Sequence, residues 1–248
     1  MAKIQPDSGT FNDITDKVLT APKKLALNDA TADFAVICES RCYMVHRRVL
    51  EKESPYFEGM FRFNGVEVDD KKVKLSDVDM YLMKHVLEFM YNSEYTLPSG
   101  TVVPTTGYCN HTTAALRDGP LRGPAIFKRK CICSGKTLSP SHLMMHICIY
   151  AIADYLGMAA LKTYAYQGAT DVLHVYWDDE ELELADALEE AFTSTPEDDR
   201  CIRDVLISTL KEHPGLWVDE GNVHEWLNDN PKELEEVESD WVVPWFSS

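Results

Sequence analysis

The stretch DFAVICESRCYMVHRRVLEKESPYF, residues 33–57, decides the fold. Its first part holds two short runs rich in β-branched and aromatic residues, and the polar segment ESR at 39–41 between them predicts a β-hairpin. The run HRRVLEKE that follows predicts a short helix. Ser54 is suited to cap a second helix, because Pro55 then takes the favoured first helical position. An ordered domain is therefore expected to begin at the start of this stretch.

The sequence predicts a further strand and further helices after this stretch. Residues 72–75, KVKL, predict a third strand, and residues 76–91 predict a helix that starts at a Ser-Asp pair. Apolar residues nearly surround a further helix over 141–157, which predicts that this helix is buried. Residues 158–169 predict one more helix. A mixture of a small sheet and several helices is the expected architecture.

Composition and charge exclude several classes of protein. The chain has 248 residues with 24 basic and 41 acidic side chains, a net charge of −17, which argues against nucleic acid as a partner. No run approaches the roughly 18 to 20 apolar residues of a membrane helix, so no membrane partner is expected. Seven scattered cysteines without a secretory signal predict reduced thiols. We expect an intracellular protein, in the cytoplasm or the nucleus.

Uneven charge divides the chain into regions. Residues 1–31 are predicted to be a leader and residues 32–169 a domain, which a basic, loop-like insertion at 98–139 interrupts. A translated intron is an alternative explanation of that insertion, and sequencing the transcript would decide between the two. Residues 170–248 are predicted to be an acidic helical appendage, because 178–240 hold 22 acidic and four basic side chains.

Two groups of His and Cys residues have the side-chain types of metal ligands. His142 and His146 are four apart on a predicted helix, but Leu143 stands where the catalytic glutamate of a zinc protease would be. A second group, within the insertion, has spacings that differ from those of common zinc knuckles: Cys109, His111, Cys131 and Cys133. Neither group predicts a metal site. Without a nucleophile-base pair, a phosphate loop or a carboxylate dyad, the sequence predicts no enzyme and no cofactor.

An ordered series of motifs closely resembles the BTB/POZ domain. The resemblance covers residues 32–97 and 140–169, and its segments are Asp33 to Ile37, Val45 to Leu50, Ser54 to Phe57, Val73 to Leu75, Phe89 to Tyr91 with Tyr95, and Tyr150 to Tyr155 with Leu161. The tail is similar to the appendage of fungal proteins that carry only a BTB domain. Its matching residues are Thr195-Pro196, Asp199-Arg200 and Ile202-Arg203-Asp204.

The resemblance implies an α+β fold, in which a small three-stranded sheet caps a helical cluster, here with an additional C-terminal helical segment. It also implies a non-enzymatic protein-interaction module, commonly a homodimer and sometimes the substrate adaptor of a cullin ubiquitin ligase. Asp33 and Arg47 would lie at the charged dimer groove of the family. Many cullin-binding members carry a hydrophobic-x-Glu motif, which residues 61–67 lack in clear form.

The predicted function is a homodimeric scaffold or adaptor that binds other proteins. One alternative is a cullin adaptor, with helices 54–63 and 79–91 facing the cullin and the acidic tail binding the substrate. A second alternative is a transcription-related corepressor or activation scaffold. The candidate interaction residues are Asp33, His46, Arg47, Tyr56, Phe57, Glu58, Met60 and Met83.

Overall fold

The computed structural model describes residues 26–63, 65–97, 100–106 and 130–239. For 101–106 and 130–137 it describes the backbone alone. Most of the predicted leader and the middle of the predicted insertion, with Cys109 and His111, therefore lie outside the described residues.

A three-stranded mixed sheet forms one end of the domain, as predicted. The strands are β1 (Phe34–Cys38), β2 (Arg41–Val45) and β3 (Lys72–Lys74). β1 is central, antiparallel to β2 and parallel to β3. Side chains alternate along β1, so that Phe34, Val36 and Cys38 are buried together on the face that meets the helices. The hairpin thus supplies one wall of the core.

The sequence predicts three of the next four helices after the hairpin. The four are α1 (Arg47–Glu53), α2 (Pro55–Phe63), the short α3 (Val66–Asp69), which was not predicted, and α4 (Met80–Asn92). Buried Ser54 accepts from the backbone N–H of Phe57 and donates to the carbonyl of Leu156, 2.7 Å away. α4 begins later than predicted, because Asp79 is its cap and accepts from the backbone N–H groups of Tyr81 and Leu82.

Two long helices pack against each other at the centre of the molecule. These are α5 (His142–Tyr155) and α6 (Ala159–Tyr176), joined by Gly157 at a φ of +70°. Gly168 allows close packing, since a Cβ there would lie 2.3 Å from the His146 ring. The predicted burial of α5 is confirmed, because Leu143, Ile147 and Ile149 are fully buried.

The predicted loop at 98–139 differs from the structure at both ends. β4 (Thr101–Thr106) and β5 (Lys130–Leu138) form an antiparallel pair. The run TVVPTT has the β-branched residues of a strand, but Pro104 pairs with Gly135 where the register shifts. These two residues interrupt the alternation that identifies strands in a sequence, which explains the wrong prediction.

The predicted domain boundary at 169/170 falls inside α6, which runs on to Tyr176. Its buried apolar positions continue from Leu161 through Ala169 to Leu173, so the helix belongs to both parts of the chain. A boundary at that point would divide a continuous helix. Up to residue 239, the appendage contains four further helices and two short 3₁₀ segments, and the helices are α7 (Leu184–Ser194), α8 (Cys201–Glu212), α9 (Asn222–Asp229) and α10 (Pro231–Glu238).

An ionic cluster fastens the appendage to the central helices. The Lys162 ammonium lies 2.5 Å from an Asp154 carboxylate oxygen and 2.6 Å from one of Asp199, while the Tyr150 hydroxyl donates to Asp199. Burial alone would raise the pKa of Asp199, but the hydrogen bonds from Lys162 and Tyr150 lower it below its usual value. The segment between α7 and α8 is thereby held against α5 and α6.

Among the helices of the described ranges, none has the length and apolar character needed to cross a membrane.

Candidate protein-interaction face

Asp33 and His46 maintain the local fold at the start of α1. An Asp33 carboxylate oxygen accepts from the backbone N–H of Arg47 at 2.8 Å. His46 is buried, and its ring nitrogens lie 2.8 Å from the hydroxyls of Tyr91 and Thr31. The backbone N–H of His46 also donates to Tyr91. These contacts fix the turn from β2 into α1.

The Arg47 guanidinium points along its own helix. It donates to Glu51, one turn on, at 3.0 Å, and its carbon atom lies 4.6 Å from the centre of the Phe61 ring. The Asp33 carboxylate therefore pairs with the backbone N–H of Arg47, whereas the guanidinium of Arg47 pairs with Glu51.

Phe57 and Met83 require a correction as candidate interaction residues. Both side chains are completely buried in the core, so neither is able to contact a partner protein. Phe57 lies on the inner face of α2 with Phe61, four residues later. Their apolar character in the sequence reflects packing inside the domain.

Tyr56, Glu58 and Met60 remain accessible on α2. Glu58 is exposed, whereas Tyr56 and Met60 are partly buried. The Tyr56 ring packs against Tyr155 at the end of α5, with ring centres 5.3 Å apart. Burial, a hydrogen bond with Tyr155 and the nearby charge of Glu67 raise the pKa of Tyr56 to about 12. Tyr56 is therefore neutral at physiological pH and able to donate a hydrogen bond.

Three large apolar side chains, at the ends of α2 and α5 and the start of α3, are strongly exposed. Phe63 is 81% exposed, Val66 71% and Tyr155 57%. None of the three was predicted from the sequence to be an interaction residue. A signal for Phe63 was available, because it follows Phe61 by two residues and so lies about 200° away around α2.

A groove lined by Tyr155 lies between the segment from β3 to α4 and the helices α5 and α7. Its volume is about 480 Å³. Tyr56 and Tyr155 line it together with Cys148, Glu190 and Ser194, and the remaining lining residues are Lys74, Leu75, Ser76, Asp77, Val78, Asp79, Leu82, Ala151 and Ile152. We call the groove, Tyr56, Tyr155, Phe63 and Val66 together the docking face.

The pKa of half-buried Cys148 is raised by burial and by the acidic side chains of the groove. Burial raises the pKa of its thiol to about 12, with added contributions from the charge of Glu190, a hydrogen bond with Glu190, and the charge of Asp79. The thiol is consequently neutral at physiological pH and does not behave as a reactive nucleophile.

A second cavity, of about 220 Å³, lies where the chain leaves for β4 and returns from β5. His142 and His146 line it, and their rings are perpendicular with centres 6.4 Å apart. His146 Nδ1 lies 2.5 Å from the hydroxyl of buried Tyr95. Among the residues that the structure describes, no cluster of three or more His, Cys, Asp or Glu is placed to hold a metal ion.

Comparisons with known proteins agree with this architecture. Residues 23–106 match the family model of the BTB/POZ domain. The chain is similar to human Kelch-like protein 38, with 26% identity over 38% of this chain and 16% of that protein. It is also similar to zebrafish (Danio rerio) Kelch-like protein 41b, with 34% identity over 32% of this chain and 14% of that protein.

The chain is also similar to a relative of another name. Protein abrupt of Drosophila melanogaster is 31% identical over 34% of this chain and 9% of that protein. The chain thus spans less than a fifth of the length of each of these relatives.

Proposed function

We propose that this chain, which carries a BTB/POZ domain, is an adaptor that binds a partner protein through the docking face. A BTB/POZ domain is a protein-interaction module. The observation that carries the proposal is the exposure of Tyr155 in the lining of one groove, together with the exposure of Phe63 at the end of α2 and Val66 at the start of α3. Exposed apolar surface of this kind marks interaction sites, and tyrosine is enriched among the residues that dominate binding energy.

The position of the docking face supports the proposal further. Glu67 follows Val66 directly and lies near enough to Tyr56 to contribute to its raised pKa, so α3 adjoins the tyrosine pair. α7 forms the opposite wall through Glu190 and Ser194. A partner in the groove would therefore contact both the BTB/POZ domain and the appendage, which makes the appendage part of the binding surface.

Affinity capture of the tagged full chain from its native cells tests the proposal. Tyr155→Glu places a charge on the docking face, and Tyr81→Glu is the matched control, because both tyrosines are 57% exposed. We expect the captured partners to be lost with Tyr155→Glu and retained with Tyr81→Glu. An unchanged set of partners with Tyr155→Glu would overturn the proposal, provided that the variant has the circular dichroism spectrum of the parent.

A cullin is the partner class of the alternative proposal. In favour of it, the docking face includes Tyr56 of α2 and Leu82 of α4, which belong to the two helices, 54–63 and 79–91, that were predicted to face a cullin. A cullin that is captured by the parent chain and lost with Tyr155→Glu would make this protein a ubiquitin-ligase adaptor. Capture without any cullin would overturn the alternative and leave a scaffold.

A homodimer is a separate part of the proposal and rests on the family resemblance. Residues 46–60 would contribute to the interface with the leader, of which residues 1–25 lie outside the described ranges. Light scattering coupled to size-exclusion chromatography tests it. Twice the 28.1 kDa mass of one chain would support the dimer, and a single mass would overturn it.

The transcription-related scaffold is the second alternative. It rests on the sequence interpretation and requires the protein to reach the nucleus. Imaging of a fluorescently tagged chain tests this requirement, since exclusion from the nucleus would overturn it.

A further inference from the structure

The groove of the docking face has an acidic rim around an apolar floor. Its carboxylates are Asp77, Asp79 and Glu190, and the ammonium group of Lys74 is the single basic group among its lining residues. Asp77 is exposed and Glu190 partly exposed. The lining therefore carries an excess of two negative charges at neutral pH.

The negative charge of the groove comes from three elements of the fold. Asp77 lies in the segment after β3, Asp79 at the start of α4, and Glu190 on α7 of the appendage. Asp79 accepts from two backbone N–H groups of α4 as the cap of that helix. Both Asp79 and Glu190 also oppose ionisation of Cys148, so their charges act in the same space.

The floor of the groove offers apolar contacts between these charges. Leu75 and Val78 are buried, while Leu82, Ala151 and Ile152 are partly buried. A volume of about 480 Å³ accommodates a few side chains of a partner and excludes a folded domain. An occupant that matches the groove combines apolar side chains with positive charge.

We propose that the groove binds a short segment of a partner protein in which lysine or arginine residues flank apolar side chains. The apolar side chains lie on the floor, and the basic groups pair with Asp77 and Glu190 at the rim. This inference rests on the proposed function and adds the chemistry of the partner. Complementary charge of this kind raises association rates and fixes the orientation of the segment.

Two synthetic peptides test the charge preference on the full chain. Both carry the same leucines, and their remaining positions are lysine in one and glutamate in the other. Fluorescence anisotropy at low salt should show that the lysine peptide binds about tenfold or more tightly, with an advantage that shrinks as salt is added. Equal affinity of the two peptides, or no binding of either, overturns the inference.

Matched variants separate the groove from the general acidity of the chain. Asp77→Asn with Glu190→Gln should weaken the lysine peptide about fivefold, from the loss of two partly exposed ion pairs. Asp229→Asn with Glu235→Gln removes the same charge from exposed positions of α9 and α10, and should change affinity less than twofold. Equal losses in both double variants overturn the inference.

Capture of natural partners distinguishes this inference from the proposed function. One outcome is that partners are lost with Tyr155→Glu but retained by the Asp77→Asn, Glu190→Gln variant. That result leaves the adaptor proposal intact and overturns the charge preference. Partners that are retained by Tyr155→Glu overturn the adaptor proposal itself. Partners lost with both variants and retained by the Asp229→Asn, Glu235→Gln control support both.

Discussion

The start of α1 and the end of α2 use their side chains in opposite ways. At the start of α1, the backbone groups and both ring nitrogens of His46 have hydrogen-bond partners. At the end of α2, Phe63 leaves 81% of its surface in water. The polar groups of the first region are already hydrogen-bonded within the domain and contribute to its stability. The second region keeps exposed apolar surface that is available to a partner protein.

The strongest test of this contrast compares two phenylalanines of the same helix. Phe57→Ala removes a fully buried ring and should lower the free energy of unfolding by about 3 to 5 kcal/mol. Phe63→Ala should change it by less than about 0.5 kcal/mol. Urea denaturation measures both. A loss below about 1 kcal/mol for Phe57→Ala would contradict its place in the core.

His46→Ala should have the next largest effect on stability. The change leaves the hydroxyls of Tyr91 and Thr31 without their buried partner and should cost about 2 kcal/mol. A double-mutant cycle with Tyr91→Phe should show a coupling of at least about 0.5 kcal/mol, because the two side chains share one hydrogen bond. Additive losses would show that the pair acts independently.

Tyr155→Ala should affect binding more than stability. We expect about a tenfold weaker affinity for a partner captured by the parent chain, which is the size typical of an interface tyrosine. The loss of unfolding free energy should stay below about 1 kcal/mol, since the side chain is more than half exposed. Calorimetric titration and urea denaturation give the two numbers, and Tyr81→Ala should leave the affinity unchanged.

A smaller effect concerns acid stability. Burial lowers the pKa of His85 below its ordinary value of 6.5, although the adjacent Glu88 opposes the shift. The unfolded chain therefore takes up a proton below pH 6.5 that the folded chain resists, so stability should fall as the pH decreases through this range. His85→Gln should flatten the dependence of unfolding free energy on pH between about 7 and 5. An unchanged slope would contradict this.

Arg47→Ala should have the smallest effect, below about 1 kcal/mol, because its pair with Glu51 is partly exposed. This variant also tests whether Arg47 lies in a dimer interface. If it does, the loss of stability should shrink as the protein is diluted below the concentration at which it dimerises, whereas a purely local role predicts the same loss at every concentration. Thermal unfolding at several concentrations decides between the two.

Much of the fold was predictable because its signals are local. The hairpin, the cap at Ser54 and the apolar surface of α5 all depend on residues close together in the sequence. The start of α4 was misplaced because several acidic and hydroxyl residues compete as caps before it, and Asp79 is the one that bonds. The similarity of the tail to fungal proteins stays a prediction.

The candidate site was less predictable because exposure depends on contacts between distant segments. Phe57 and Phe63 are the same residue type on one helix, yet only the packing of α2 decides which is buried. Tyr155 contacts Tyr56 although the two residues are separated by about a hundred positions in the sequence. The helix α7, which lines one side of the groove, is even further from Tyr56 along the chain. A motif resemblance identifies the domain but does not show which surface remains free.

The length of α6 determines how an adaptor built on this fold would hold its ligands. Its 18 residues extend about 27 Å without a break, from the Lys162 cluster beside the domain to the helices of the appendage. A flexible tether would let two bound proteins sample many distances. A continuous helix that belongs to both parts instead fixes the distance and the angle between two bound proteins, so this molecule would act as a spacer of fixed geometry.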